Sequence, residues 1–336
     1  EMRRELSTTL RARSIDAHRA EWEATIAGIA ASPKYAGLRI KPQIGLVPLG
    51  PDPASGLFEF AHLGSGEVPL RDPGTGRLVL GDRFAIILVL VPGGTFRMGA
   101  QSTDPGAPNF DPQAEDDESP VHEVTLSPYF LAKHECTQAQ WEAMSGARPS
   151  AYHPGHRHLG KWLTPRNPVE TVSWDECMAW LPRWHLTLPT EAQWECACRA
   201  GTYTPWWCGP EVGALEKVAN LADQTCKNGF GQATWRYEAW DDGWMATAPV
   251  GSFAANPFGF FDVHGNVWEW CSDLYVDYTA AAVTDPKPRG PGSHVHRGGA
   301  WNFPSPRARS AHRNTTAPHL QSDRLGFRPA RSVAAD

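Results

Sequence analysis

The stretch Gly259-Phe260-Phe261-Asp262-Val263-His264-Gly265-Asn266-Val267-Trp268-Glu269-Trp270 sets four aromatic rings, two carboxylates, an Asn and two glycines into twelve positions. That mixture fits neither the 3.6-residue period of an amphipathic helix nor the alternation of a half-buried strand. Asp262 and Glu269 are the side chains a hard cation takes. Gly265 permits a turn tight enough for nearby carbonyls to join them. The residues alone leave two readings open: a metal-binding loop, and a Trp-rich loop whose polar groups satisfy one another.

The rest of the 336 residues suits a soluble globular protein, with 41% hydrophobic and 20% charged side chains. Fifteen Trp, 30 Pro and 31 Gly point to a loop-rich fold held by aromatic packing. A net charge of −6 and a pI near 6.1 argue against nucleic acid or anionic membranes as partners. No apolar run approaches the roughly 20 residues that span a bilayer, so no membrane insertion is expected. The chain begins at Glu1 without a signal-peptide pattern, so a cytoplasmic segment of a longer protein is expected. Seven cysteines without a CxxC pair argue against a zinc site and for reduced core thiols, with a disulfide left open.

Residues 1–31 read as one amphipathic helix, with Leu6, Leu10, Trp22, Ile26 and Ile29 mostly three or four apart, and 1–33 as a linker ended by Pro33. Residues 37–85 read as a small β-rich extension, with short apolar runs at 44–47, 57–60 and 77–80 between turn residues. From residue 86 the main domain is expected to run to 331, with a tail at 332–336. Strands are expected at 86–91, 95–99, 123–126 and 129–132. Three helices carry capping boxes: Thr137 with Gln140, Ser173 with Glu176, and Thr190 with Gln193. After Gly201 the chain reads as nearly all loop.

Segments from this domain recur in a recognisable order. They are Val91-Pro92-Gly93-Gly94-Thr95-Phe96-Arg97-Met98-Gly99, Asn167-Pro168-Val169-Glu170-Thr171-Val172-Ser173-Trp174, Leu188-Pro189-Thr190-Glu191-Ala192-Gln193-Trp194-Glu195, Gly265-Asn266-Val267-Trp268-Glu269-Trp270, Arg297-Gly298-Gly299-Ala300-Trp301 and Leu325-Gly326-Phe327-Arg328. Over residues 86–331 the chain resembles the formylglycine-generating-enzyme (sulfatase-modifying factor) family. The resemblance implies an α+β, C-type-lectin-like fold with little regular structure. It also implies two structural Ca2+ sites, one at Asp262, Gly265, Val267 and Glu269, the other at Asn220, Leu221, Asp242 and Trp244. The N-terminal helix and β region are similar to the linker that precedes such domains in bacterial serine/threonine kinase fusions.

In that family a cysteine pair after the Gly-Gly segment binds copper and activates O2, because Cu(I) prefers sulfur. Here Phe303 stands at the first cysteine position and Ser305 near the second, and no cysteine follows Cys271. Neither copper nor formylglycine formation is therefore expected. The His-x3-His-x-Glu iron motif of ergothioneine-type sulfoxide synthases is also missing. The His153–His158 cluster reads as a solvated loop. What remains is a surface over Trp301–Arg324, rich in the Trp, Arg, Asn and His side chains of recognition sites. It resembles the variable segment of retroelement-diversified ligand-binding proteins of this fold. Trp301, Asn302, Phe303, Ser305, Arg307, Arg309, Asn314 and His319 are the candidate ligand-binding residues for a protein or small molecule. Arg313 and Arg328 are expected to be structural. The competing reading is an oxidoreductase or oxygenase of the same family with a non-cysteine site.

Overall fold

The computed structural model describes residues 9–334 apart from 159–160. The start of the expected N-terminal helix, including Leu6, and the end of the tail lie outside the described residues. The helix expected over 1–31 is interrupted. Residues 9–14 are helical, Asp16–His18 form a 3-10 turn, and helix α1 runs Arg19–Ala31. The break turns the Ser14 carbonyl towards the buried Trp22 indole, whose Nε1 donates to it at 2.8 Å. A buried Trp needs that acceptor. Trp22 stacks on Phe60, with ring centroids 5.4 Å apart.

Strands β1 (Leu46–Pro51), β2 (Phe58–His62), β3 (Ile87–Val91), β4 (Gly94–Met98), β5 (His122–Leu126) and β6 (Tyr129–Ala132) follow. β3 and β6 are buried at every residue, which explains their unbroken apolar runs. β1 and β2 pair antiparallel, and β2 continues the ladder onto β3, then β6. Residues before 86 thus contribute two strands to the main sheet. Their attachment is also ionic: buried Lys133 donates to Glu59 and to Asp52 at 2.9 Å, and Arg71 reaches Glu59 at 2.6 Å.

Helices α2 (Gln138–Ser145), α3 (Trp174–Trp180) and α4 (Glu191–Arg199) carry all three expected capping boxes. A further helix, α5 (Gln224–Phe230), is capped by the Asp223 side chain. The region after Gly201 also holds a second sheet, unlike the loop expected there. Its strands are β7 (Trp268–Leu274), β8 (His294–Arg297), β9 (Asn314–Thr316) and β10 (Leu325–Gly326), in the order β9-β8-β7-β10. Six successive residues of β7 are buried, so it lacks the apolar–polar alternation that marks a half-exposed strand. A last strand, β11 (Ala330–Ser332), returns to pair with β6 in the first sheet.

Candidate functional site

The loop 262–267 runs directly into β7, and its backbone is unusual. Asp262 and Asn266 have φ of +59° and +58°, a region that Asn and Asp tolerate better than other side chains. Gly265 has φ +87°, and a Cβ there would lie 2.1 Å from the Asn220 carbonyl oxygen, so only glycine fits. The Asn266 amide donates to that same carbonyl at 2.8 Å.

The carboxylates of this loop have different partners. Glu269 accepts from Arg328 Nη2 at 2.7 Å, Arg328 Nε at 3.0 Å and Trp194 Nε1 at 2.8 Å. Asp262 accepts only from the Gly251 amide, at 2.7 Å through Oδ2, and its buried Oδ1 has no hydrogen-bond partner. Burial raises its pKa to about 6, with repulsion from Glu269 adding to the effect and the Gly251 amide and Arg328 opposing it. A third buried carboxylate stands beside them. Glu135 accepts from Asn266 Nδ2 at 2.6 Å and Val267 N at 3.0 Å. Burial, then Asp262 and Glu269, hold it well above the usual carboxylate range. Sequence reasoning missed Glu135, which sits 127 positions from Asp262 with no motif to link them.

Three buried carboxylates thus meet one directly paired guanidinium. The orphaned Asp262 Oδ1 suits a hard cation, with Gly265 and Val267 offering main-chain oxygens. Glu269 has one lone pair left to give, on Oε1, since Arg328 takes one on each oxygen and Trp194 a second on Oε2.

The second group is built on Asn220, whose Nδ2 donates to Ala246 O at 2.9 Å and Asn266 Oδ1 at 3.0 Å. Its buried Oδ1 has no partner. Asp242 accepts from Leu221 N at 3.2 Å and Trp244 N at 2.7 Å. Burial, then the nearby Asp223 charge, raise the Asp242 pKa to about 8. Among the described residues no Lys or Arg forms an ion pair with Asp223, Asp241 or Asp242. Lys161 instead lies over the Trp244 ring, 3.9 Å from its centroid. An orphaned amide oxygen beside unneutralised carboxylates fits Ca2+ chemistry well. The Asn220–Asn266 contact makes the two loops one unit.

The C-terminal segment is more buried than expected, and this corrects several candidates. Trp301 is 2% exposed and packs with Tyr152, Phe230 and Trp235, at centroid distances of 5.4, 5.0 and 6.0 Å. Asn302 and Ser305 are buried, the latter with its amide on Glu238 Oε1 at 2.7 Å. Arg309 is 1% exposed, clamped by Glu118 at 2.6 and 2.7 Å and by Asp111 at 2.8 Å. A charge that deep is retained only because it is paired. Of the candidate residues, solvent reaches Arg307 and His319, and Phe303 and Asn314 are half-buried. Arg313 is buried on Glu191, at 2.7 and 2.9 Å. Arg328 is buried on Glu269, so both have the structural role expected of them.

Trp268 packs against Phe303. Its ring lies edge-on to Phe303 at 5.5 Å and near His312 at 5.7 Å, and Arg324 covers Phe303 at 5.7 Å. Three buried polar atoms here lack partners: Asn302 Oδ1, His296 Nδ1 and His312 Nδ1.

The chain is an α+β domain of C-type-lectin-like fold, whose sheets carry long, polar-cross-linked loops. The chain belongs to the sulfatase-modifying factor enzyme 1-like domain family, which matches it over residues 86–333. It is 31% identical to a formylglycine-generating enzyme of Thermomonospora curvata, over 79% of this chain and 97% of that one. It is 30% identical to the serine/threonine-protein kinase pkn1 of Chlamydia caviae, over 73% of this chain but 38% of the kinase. Its fold is similar to that of Treponema denticola variable protein 1, with a TM-score of 0.55 and 22% identity, covering 74% of this chain and 96% of that one. No helix among the described residues is long and apolar enough to cross a membrane.

Proposed function

We propose that this domain is a Ca2+-supported recognition module of lectin-like fold that does not generate formylglycine. The observation that carries the reading is at Phe303. An aromatic ring wedged between Trp268 and Arg324 stands where the family chemistry requires a thiolate, with Ser305 buried at the second position. Neither side chain supplies a soft ligand for Cu(I). Phe303, Arg307, Asn314 and His319 form the contact face for a protein or small-molecule ligand, and the unpartnered Asn302 Oδ1 lies just behind it. Ca2+ at Asn220, Leu221, Asp242 and Trp244, and at Asp262, Gly265, Val267 and Glu269, holds the loops beneath that face.

The variable-protein likeness supports a ligand-binding role, and the kinase match supports a place as the sensor end of a larger protein. In that reading, copies from one genome differ mainly within residues 302–323. The direct test is titration with Cu(I), followed by O2 consumption with a cysteine-containing peptide. No turnover and no tight copper binding are expected. Turnover, or copper bound tightly at this face, would transfer the domain to the oxidoreductase class.

A further inference from the structure

Arg309, Arg307 and His312 tie the acidic loop 111–118 to the C-terminal segment, and one corner of that junction is built like a metal centre. Glu115, Glu118 and His312 each present a ligand atom, and these atoms lie within 4.8 Å of one another. His312 is 1% exposed, and its Nδ1 faces Glu118 Oε1 at 3.4 Å and Glu115 Oε2 at 3.8 Å. That nitrogen has no well-formed hydrogen bond, and Glu118 is close enough to attract its proton when the ring is charged. A buried imidazole nitrogen left unpaired between two carboxylates costs free energy unless something else takes its lone pair.

We propose that Glu115, Glu118 and His312 bind one borderline divalent cation of the Zn2+ class, clipping the acidic loop to the C-terminal segment. An imidazole with two carboxylates selects this class over Ca2+, which takes oxygen alone. The site contains no cysteine, so the absence of CxxC pairs does not bear on it. It uses none of the residues assigned to Ca2+ and does not depend on the recognition reading.

The surrounding arginines have opposite roles. Arg309 grips both oxygens of Glu118 and also Asp111, which fixes the carboxylate from behind while free lone pairs remain towards His312. Arg307 is 45% exposed and holds Glu115 at 3.1 Å, with its Nη1 3.4 Å from His312 Nε2. Metal binding through Nδ1 places the ring proton on Nε2, facing that guanidinium. Arg307 therefore competes with the cation and swings to solvent when it binds. Three protein ligands leave a fourth position for water or a ligand group, on the side where Glu115 meets solvent.

The test uses the full chain in saturating Ca2+, which fills oxygen-only sites, with Co2+ as an optical probe and Zn2+ as competitor. One Co2+ per chain is expected, with visible d–d bands, no thiolate charge-transfer band, and stoichiometric displacement by Zn2+. Glu115→Gln, at an exposed side chain, weakens binding by more than about tenfold. Arg307→Gln tightens it, a change that a purely structural cluster would not produce. His312→Gln abolishes binding, with circular dichroism as the check on folding. No Co2+ spectrum, a thiolate band, or equal affinities of the parent, Glu115→Gln and Arg307→Gln would each overturn the assignment.

Discussion

Arg328 closes on Glu269 through a two-pronged contact, Nη2 to Oε1 at 2.7 Å and Nε to Oε2 at 3.0 Å, with both side chains almost fully buried. Arg328 also donates to the carbonyls of Ala132 and Phe261, at 3.0 and 2.8 Å. One guanidinium thus joins the end of β6, the residue that leads into the loop 262–267, and β7. Removing it strands an anion in the core. Arg328→Met should cost about 3–5 kcal/mol of unfolding free energy in a urea titration. A loss below about 1 kcal/mol would show that the pair adds nothing beyond packing.

Arg309 and Arg307 lie two residues apart and should behave oppositely. Arg309 is buried on Glu118 and Asp111, so Arg309→Ala leaves buried Asp111 without a cation and Glu118 facing only His312, and should cost about 3–5 kcal/mol. Arg307 pairs with Glu115 at the surface, where screening leaves less than about 1 kcal/mol. Comparable losses in the two variants, measured by denaturant titration, would contradict the burial difference.

Removal of calcium should lower the melting temperature. A ligand that binds only the folded state at about a hundred times its Kd adds about 2.7 kcal/mol, and a chelator removes that increment. Asp242→Asn should blunt the chelator response, because Asp242, whose pKa burial raises to about 8, pairs with no Lys or Arg among the described residues and ionises fully at neutral pH only beside a bound cation. A melt indifferent to chelator would mean that the Asn220–Asn266 contact holds the loops unaided.

Asp273, on β7, gives a pH signature separate from any cation. Burial, then the charge of Glu191, raise its pKa from 3.8 to about 8, against the pull of the Ser272 hydroxyl and the Glu191 amide. The folded state therefore binds this proton more tightly than the unfolded chain. Its contribution to stability is complete below about pH 4 and is lost as pH rises through about 8. Asp273→Asn keeps a carbonyl acceptor for Ser272 and Glu191 N, at 3.0 and 3.1 Å in the parent. It should flatten the decline in stability between pH 4 and 8. An unchanged slope would place the titrating group elsewhere.

Local rules were legible in the sequence and long-range ones were not. The capping boxes at Thr137, Ser173 and Thr190 depend on residues three apart, so pattern sufficed to place three helices. β7 escaped because burial on both faces erases alternation. Glu135 escaped because its partners, Asn266 and Val267, come from a distant loop that only the fold brings near. The burial of Arg309 is illegible in the sequence for the same reason: its anions lie 191 and 198 residues upstream. Residue type marks a charge, and only tertiary structure shows whether it faces water.

Gly265 offers the most local test of the loop 262–267. Its φ of +87° disfavours any side chain, and a Cβ would meet the Asn220 carbonyl oxygen at 2.1 Å, which is backbone and cannot rotate away. Gly265→Ala must therefore push the loop off Asn220 and break the 2.8 Å bond from Asn266 N to that carbonyl. Strain of this kind costs about 1–3 kcal/mol. The displacement also disturbs the Asn220 side chain, which the second calcium group needs. Urea titrations with calcium and with chelator separate the two effects. A deficit that is larger in calcium means that the loops bind the ion jointly. An equal deficit in both conditions would leave Gly265 as a packing glycine with no part in cation binding.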